Sequence, residues 1–256
     1  MHWDATQYDR FTDDRSRPFH DLVARVGAGD PTYVVDLGCG TGHATATLAD
    51  RWPGARVEGV DASADMLASA QAYAKDGRLA FTRGDLTTWT PREPVDVVVS
   101  NATLQWVPEH ADLLPRYVEW LSPGGWLAFQ VPGNHRAPAH LLLRDLRLSP
   151  RWRDLVGDGA DRHLVVREPD AYLDLLGGLG CTLDVWETTY RHVLPGDDAV
   201  LEWMKGTGLR PVLSRLDEAD GAEFLDEYGA LLREEFPRRP WGTVLAFRRI
   251  FVVAHT

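Results

Sequence analysis

Three glycines at alternate positions constrain this chain more than any other feature. They stand in Val34-Val35-Asp36-Leu37-Gly38-Cys39-Gly40-Thr41-Gly42. The apolar run Tyr33–Leu37 reads as a buried strand, and the glycines let the backbone turn tightly and bring its amides close to a ligand. His43 to Trp52 then carries Ala44, Leu48, Ala49 and Trp52 at helical spacing. A strand, a Gly-rich turn and a helix N-terminus in succession mark the place where an open α/β sheet binds a nucleotide-like molecule. A second strand candidate, 56–60, ends at Asp61, 19 positions after Gly42. A carboxylate there can accept bonds from both hydroxyls of a ribose.

Charge narrows the ligand. Dinucleotide sites use G-x-G-x-x-G, with a helix N-terminus facing a pyrophosphate. Here the spacing is G-x-G-x-G and the strand ends in Asp36. That carboxylate repels a pyrophosphate and attracts a ligand carrying an ammonium and a sulfonium. S-adenosylmethionine (SAM) is such a ligand, and D-L-G-C-G-T-G resembles the first motif of the class I SAM-dependent methyltransferases. Asp36, Gly38 and Gly40 are then expected at the methionine end and Asp61, with Ala62 beside it, at the ribose. After a third strand candidate, 79–82, comes Gly84-Asp85-Leu86. The same resemblance implies that Asp85 accepts from the adenine amino group and that Leu86 offers its amide and packing. At the tip of the strand Val95–Asn101, the run Asn101-Ala102-Thr103-Leu104-Gln105-Trp106 puts Asn101 and Gln105 beside the expected sulfonium. Trp106 reads equally well as a core anchor or as a platform for the transferred methyl group.

Strand and helix signals alternate through the first half, with a fifth strand at 126–131 and helices at 43–52, 63–75 and 112–121. Ser63 is the expected N-cap of the second helix, and Ser122-Pro123-Gly124-Gly125 the stop after the third. Such alternation predicts a Rossmann-like, doubly wound, mostly parallel sheet. Two later strands, 183–193 and 244–255, bring the expected count to seven. Long intervening stretches of helical pattern are read as insertions, because loops of that length seldom lack structure. The expectation is one domain, 1–256, with a helical cap contributed by about 1–30, 137–168 and 197–240.

At 256 residues, with 44% apolar and 25% charged residues, the chain has the composition of a soluble globular protein. No run approaches the roughly 18 apolar residues of a membrane span. Met1-His2-Trp3-Asp4 does not look like a signal peptide, so a cytoplasmic location is expected. Cys39 and Cys181 give neither a disulfide framework nor metal-ligand spacing, and no metal is expected. A net charge of −11 without a basic segment argues against nucleic acid, whose binding requires neutralised phosphates.

A narrower resemblance runs along essentially the whole chain, to the trans-aconitate 2-methyltransferase family. It rests on Trp3 with Tyr8, Arg15-Ser16-Arg17-Pro18, the motifs above, and Thr188-Thr189-Tyr190-Arg191-His192. It continues through Trp203, Thr207-Gly208-Leu209-Arg210-Pro211 and Leu245-Ala246-Phe247-Arg248-Arg249. The resemblance implies SAM as methyl donor, a small tricarboxylate as acceptor and a monomethyl ester as product. A carboxylic acid with a pKa near ~4 is already ionised at neutral pH, so such an enzyme needs no general base. No nucleophile constellation stands out, and catalysis is expected to be positioning alone, with Trp106 and His192 the candidates for direct contact. Arginine suits carboxylates through bidentate bonding. The substrate candidates are Tyr8, Arg17, Tyr190, His192, Arg210 and Arg249, with Arg15, Arg191 and Trp203 behind them. Three other readings stay open at this point. One is a SAM-dependent methyltransferase for another small anionic or phenolic acceptor, for which His110, His135 or His192 would matter as a base. The others are an NAD-dependent oxidoreductase and a non-enzymatic SAM-binding protein.

Overall fold

The computed structural model describes residues 12–107, 109–157 and 166–256, with side chains from residue 16 onward. Its strands are β1 Tyr33–Leu37, β2 Arg56–Asp61, β3 Leu79–Arg83, β4 Val95–Asn101, β5 Leu121–Pro132, β6 Thr182–Leu194 and β7 Thr243–His255. They form one seven-stranded sheet in the order β3-β2-β1-β4-β5-β7-β6. The pairings of β1 with β2 and β4, of β2 with β3, and of β4 with β5 are parallel. β1 has neighbours on both sides and is buried at all five positions, which is why its sequence reads as a continuous apolar run. Strand order reverses between β1 and β4, so the ends of these two strands flank the switch point where such sheets bind ligands.

Helices in the first part are α1 Thr12–Val23, α2 His43–Arg51, α3 Ala64–Ala70 and α4 His110–Glu119, followed further on by α5 Pro138–Arg147, α6 Arg153–Val156 and α7 Pro169–Gly177. The last three are α8 Ala199–Lys205, α9 Arg210–Leu213 and α10 Glu218–Glu235. Ser63 caps α3 as expected, its hydroxyl accepting from Met66 N. The chain divides into two compact units: 1–132 with 166–187 and 250–256, and 133–165 with 188–249.

In the first unit α1 packs on β5 and β4 with Phe19 and Leu22 buried. The N-terminal helix is therefore a sheet-covering element, and residues 1–11 of the expected cap lie outside the described residues. The core gathers Val35, Leu37, Val98, Leu114, Tyr117, Phe129 and Tyr172. Each such side chain taken fully out of water stabilises by roughly 1.5–3 kcal/mol. The second unit has its own interior. Trp152 of the α5–α6 connection meets Phe224 of α10 edge to face, with ring centroids 5.2 Å apart. Tyr228 of α10 donates to Ala139 O of α5 at 2.8 Å. Both expected insertions thus contribute helices to this unit.

Three expectations shift. β5 begins at Leu121, so Ser122-Pro123-Gly124-Gly125 lies within a strand and not between elements. A register irregularity between Val95 and Val97 absorbs these residues, and Gly125 exchanges bonds with Thr256. The helix expected over 63–75 is α for one half and a 3₁₀ turn, Gln71–Tyr73, for the other. Helix α7 has no counterpart in the sequence reading.

Candidate functional site

The glycine turn after β1 closes on β2 through hydrogen bonds that use backbone and acid together. Gly38 N and Cys39 N donate to Val60 O at 2.7 and 3.1 Å. Gly40 N donates to Asp61 Oδ2 at 2.9 Å, and Ser63 N to Asp61 Oδ1 at 2.8 Å. Asp61 therefore ties the turn to the end of β2, while each oxygen keeps a second lone pair for a ligand hydroxyl. Gly38 takes φ +79°, and a Cβ there would lie 2.1 Å from Thr103 Cγ2. Gly40 takes φ +56°, but a Cβ at that position would meet nothing within 4 Å. The first glycine lets the β4 loop approach; the second leaves open space beside its α-carbon.

Asp36 is 2% exposed. Thr45 of α2 donates to its Oδ2 at 2.6 Å. Burial pushes the carboxyl up to about 7; the Thr45 bond pulls it down and the nearby Asp61 adds to the rise. Burial also raises the Cys39 thiol, helped by Asp36 and Asp61, so Cys39 is no thiolate nucleophile.

The β4 loop supplies the facing groups. Ser100 Oγ donates to Leu37 O at 2.8 Å, and Thr103 Oγ1 to Gly38 O at 3.2 Å, locking the loop to the glycine turn. Ala102 takes φ +52°, a strained conformation for alanine, held by its N–H on Gln130 O at 2.9 Å. Gln105 Nε2 donates to Ala102 O at 2.6 Å. Two oxygens remain: Asn101 Oδ1 and Gln105 Oε1 are buried without a hydrogen-bond partner.

These atoms fit SAM. A buried acid that resists ionisation while alone and two orphaned acceptors, beside open space at Gly40, suit a ligand with cationic and donor groups. They would cost free energy against a pyrophosphate.

Asp85 is exposed; its Oδ1 accepts from Thr87 N at 2.9 Å and Thr87 Oγ1 at 2.7 Å, and these bonds hold the carboxyl below the usual range. It organises its own turn, while Leu86 is buried. Trp106 is half-buried and Ala62 exposed.

The acceptor candidates fall differently. Tyr8 lies outside the described residues, as does the side chain of Arg15. Arg17, on α1 in the first unit, has a side chain 73% exposed and 3.9 Å from Asp21. In the second unit Tyr190 and His192 are both buried, on one face of β6. The His192 ring stacks on Trp203 of α8 at 4.9 Å and lies near Tyr190 and Phe247, at 6.2 and 6.1 Å. Arg249 is buried, with its guanidinium 4.7 Å from the Phe247 ring centroid. Arg210 starts α9 and is half-buried. His110, entertained as a base, is a core residue: it is buried, 2.7 Å from Tyr172 Oη, and burial, with Arg167, lowers its pKa. Thr45 and Thr103 are site residues that the sequence reading passed over. Thr103 stood within the quoted motif; Thr45 gave no signal beyond its place one helical turn past the glycines. Among the described residues, no group of three or more His, Cys, Asp or Glu is placed to hold a metal ion.

The switch-point site, with a buried acid beside a glycine turn, defines a SAM-dependent methyltransferase, and a methyltransferase-domain family model matches residues 34–125. The solved YcgJ protein of Bacillus subtilis shares the fold, with a TM-score of 0.62 over 94% of this chain and 98% of that one, at 12% identity. Likeness in sequence is far closer to the trans-aconitate 2-methyltransferase of Streptomyces avermitilis, at 54% identity over 99% of this chain and 96% of the relative. The enzyme of that name from Mycolicibacterium gilvum is 50% identical over 98% of both chains. The chain belongs to the trans-aconitate 2-methyltransferase family.

Proposed function

We propose that this protein transfers the methyl group of SAM to one carboxylate of trans-aconitate, giving the monomethyl ester. The observation that carries the reading is similarity to curated trans-aconitate 2-methyltransferases along 99% of the chain, cap segments included. When bound, SAM supplies a methyl group on a positively charged sulfur, open to direct attack by a carboxylate oxygen.

Asp36, Gly38 and Gly40 hold the amino-acid end of SAM, Asp61 and Ala62 the ribose, and Asp85 and Leu86 the adenine. Asn101, Gln105 and Trp106 face the sulfonium, where the orphaned oxygens Asn101 Oδ1 and Gln105 Oε1 favour positive charge. The acceptor acid arrives ionised at neutral pH, so the chain need not remove a proton. Its task is orientation, exclusion of water and compensation of charge. Arg17, Arg210 and Arg249 are the arginines proposed for compensation, with Tyr8, Tyr190 and His192 as pocket groups. The net charge of −11 favours small-molecule chemistry over nucleic acid. No helix of the described residues is long and apolar enough to cross a membrane, and a cytoplasmic location goes with this reading.

The test is transfer of labelled methyl from SAM to a panel of trans-aconitate, cis-aconitate, citrate, isocitrate and monocarboxylates. A base-labile product formed preferentially from trans-aconitate is expected. Tight SAM binding without transfer to any acid would sink the acceptor assignment.

A further inference from the structure

The turn after β3 that carries Asp85 and Leu86 is fastened to α4, a helix outside the cofactor motifs. Gly84 N donates to Asp61 O at 3.0 Å, which anchors the start of the turn to the end of β2. Asp85 O then accepts from Thr88 N at 3.0 Å and from Trp89 N at 2.7 Å. The next carbonyls are held by α4. Tyr117 Oη donates to Leu86 O at 3.3 Å, and Arg116 Nη1 to Thr87 O at 2.7 Å. Arg116 Nη2 donates to Trp89 O. One guanidinium thus bridges two carbonyls two residues apart, which its planar fork of donors suits.

The clamp is itself braced. The Arg116 guanidinium lies 5.2 Å from the ring centroid of Trp120, the residue after α4, and Trp120 meets Trp89 edge to face at 5.6 Å. Tyr117 is fully buried, with its ring 4.8 Å from that of Trp120. Two groups of the turn are left over. Asp85 Oδ1 serves Thr87, but Asp85 Oδ2 and Leu86 N–H have no hydrogen-bond partner among the described residues. They are an acceptor and a donor on adjacent residues. Adenine presents the complement on its base-pairing edge, an amino donor beside a ring-nitrogen acceptor. Making both bonds at once requires the two groups in one orientation, and a turn ordered beforehand has already met that entropy cost.

On the adenine assignment of Asp85 and Leu86 made above, we propose that Arg116 and Tyr117 are positioning residues for the cofactor. They fix the 85–89 turn so that Asp85 Oδ2 and Leu86 N–H meet the amino group and the ring nitrogen of adenine together. Each acts through the backbone of the turn and not by touching the ligand. Arg116→Lys keeps the charge but offers a point donor in place of the fork, and Arg116→Ala serves neither carbonyl. Tyr117→Phe keeps the buried ring and removes only the bond to Leu86 O.

The test is calorimetric binding of S-adenosylhomocysteine and S-inosylhomocysteine. In the inosyl compound an oxo group replaces the amino group and the neighbouring ring nitrogen carries a proton, so both bonds become contacts between like groups. Wild type is expected to prefer the adenosyl compound roughly tenfold or more. In Arg116→Ala that preference is expected to fall to about twofold, with Arg116→Lys between the two, and Tyr117→Phe to lose about half of it. A merely structural role would weaken both ligands alike and leave their ratio unchanged. KM for SAM is expected to rise in the same order, with kcat near that of wild type. A wild-type ratio in Tyr117→Phe and in both Arg116 variants overturns the positioning role; should Arg116→Ala fail to fold, the other two variants decide. If wild type binds both compounds equally, Asp85 and Leu86 do not read adenine and the positioning role falls with them. If it binds neither, the cofactor reading itself falls.

Discussion

Burial raises the Asp36 carboxyl well above the usual carboxylate range in the free protein, and this has two measurable consequences. Its carboxyl titrates near 7 when folded, against an ordinary 3.8. The native state therefore binds more protons than the unfolded chain between about pH 4 and 7. Stability contributed by this group is full below pH 4 and is lost as pH rises through 7, about 4 kcal/mol in all at 1.36 kcal/mol per pH unit. Asp36→Asn keeps the Thr45 bond and carries no charge, so its melting temperature is expected to fall less than that of wild type between pH 5 and 8. A parallel fall in both proteins would remove Asp36 as the cause. SAM binding runs the other way. A cation beside Asp36 favours the carboxylate, so binding releases a proton below pH 7. SAM affinity is expected to rise with pH up to about 7 and then level off. In Asp36→Asn that dependence should vanish and the affinity should drop roughly 10- to 100-fold, the worth of a charged hydrogen bond at about 1.5–3 kcal/mol. Gly38 is the steric counterpart. A methyl 2.1 Å from Thr103 Cγ2, on a backbone at φ +79°, adds a clash to a strained conformation. Gly38→Ala is expected to cost about 2–4 kcal/mol, read as a lowered denaturation midpoint; a midpoint within error of wild type would show that the β4 loop yields.

Elements were legible in the sequence where local chemistry alone determined them. The β1 turn announced itself through glycines that the backbone requires, and Ser63 through the cap it makes. The start of β5 was hidden because Ser122-Pro123-Gly124-Gly125 is turn chemistry by itself. It becomes strand only through Leu121 opposite Val95 and Gly125 against Thr256, contacts remote in sequence. Helix α7 was hidden because it is nine residues long and its defining residue, Tyr172, acts through tertiary partners. Tyr172 Oη accepts from Arg167 N at 3.2 Å and shares a hydrogen bond with His110 Nε2, 2.7 Å away on α4. Tyr172→Phe removes two hydrogen bonds at once and strands the buried His110 ring nitrogen. It is expected to destabilise by about 1–3 kcal/mol and to leave methyl transfer at saturating substrates near normal. A collapse of turnover with unchanged stability would mean that the Tyr172–His110 link serves the site, not the core.

At the scale of the molecule, the first unit was readable and the second only in outline. The proposed cofactor groups from Asp36 to Gln105 stand at the ends of β1 to β4, which are adjacent in the sheet in the order β3-β2-β1-β4, and each is marked by a short local motif. Asn134, Arg191 and Arg239, which line one cavity of the second unit, come from three distant segments, and nothing local marks them as neighbours. The division also shapes how a ligand stabilises the chain. All proposed SAM contacts lie in the first unit, 1–132 with its two later segments. A ligand that binds only the folded state stabilises it by mass action, about 2.7 kcal/mol at a hundred times its dissociation constant. For a chain of this length each kcal/mol moves the melting temperature by roughly 2–4 °C. Saturating SAM is therefore expected to raise the melting of the first unit by about 5–10 °C in scanning calorimetry. If the units unfold together the whole transition moves; if they unfold separately, only one does. Wild-type SAM-dependent shifts in Asp36→Asn and Asp61→Ala variants would overturn the assignment of the cofactor groups to the first unit.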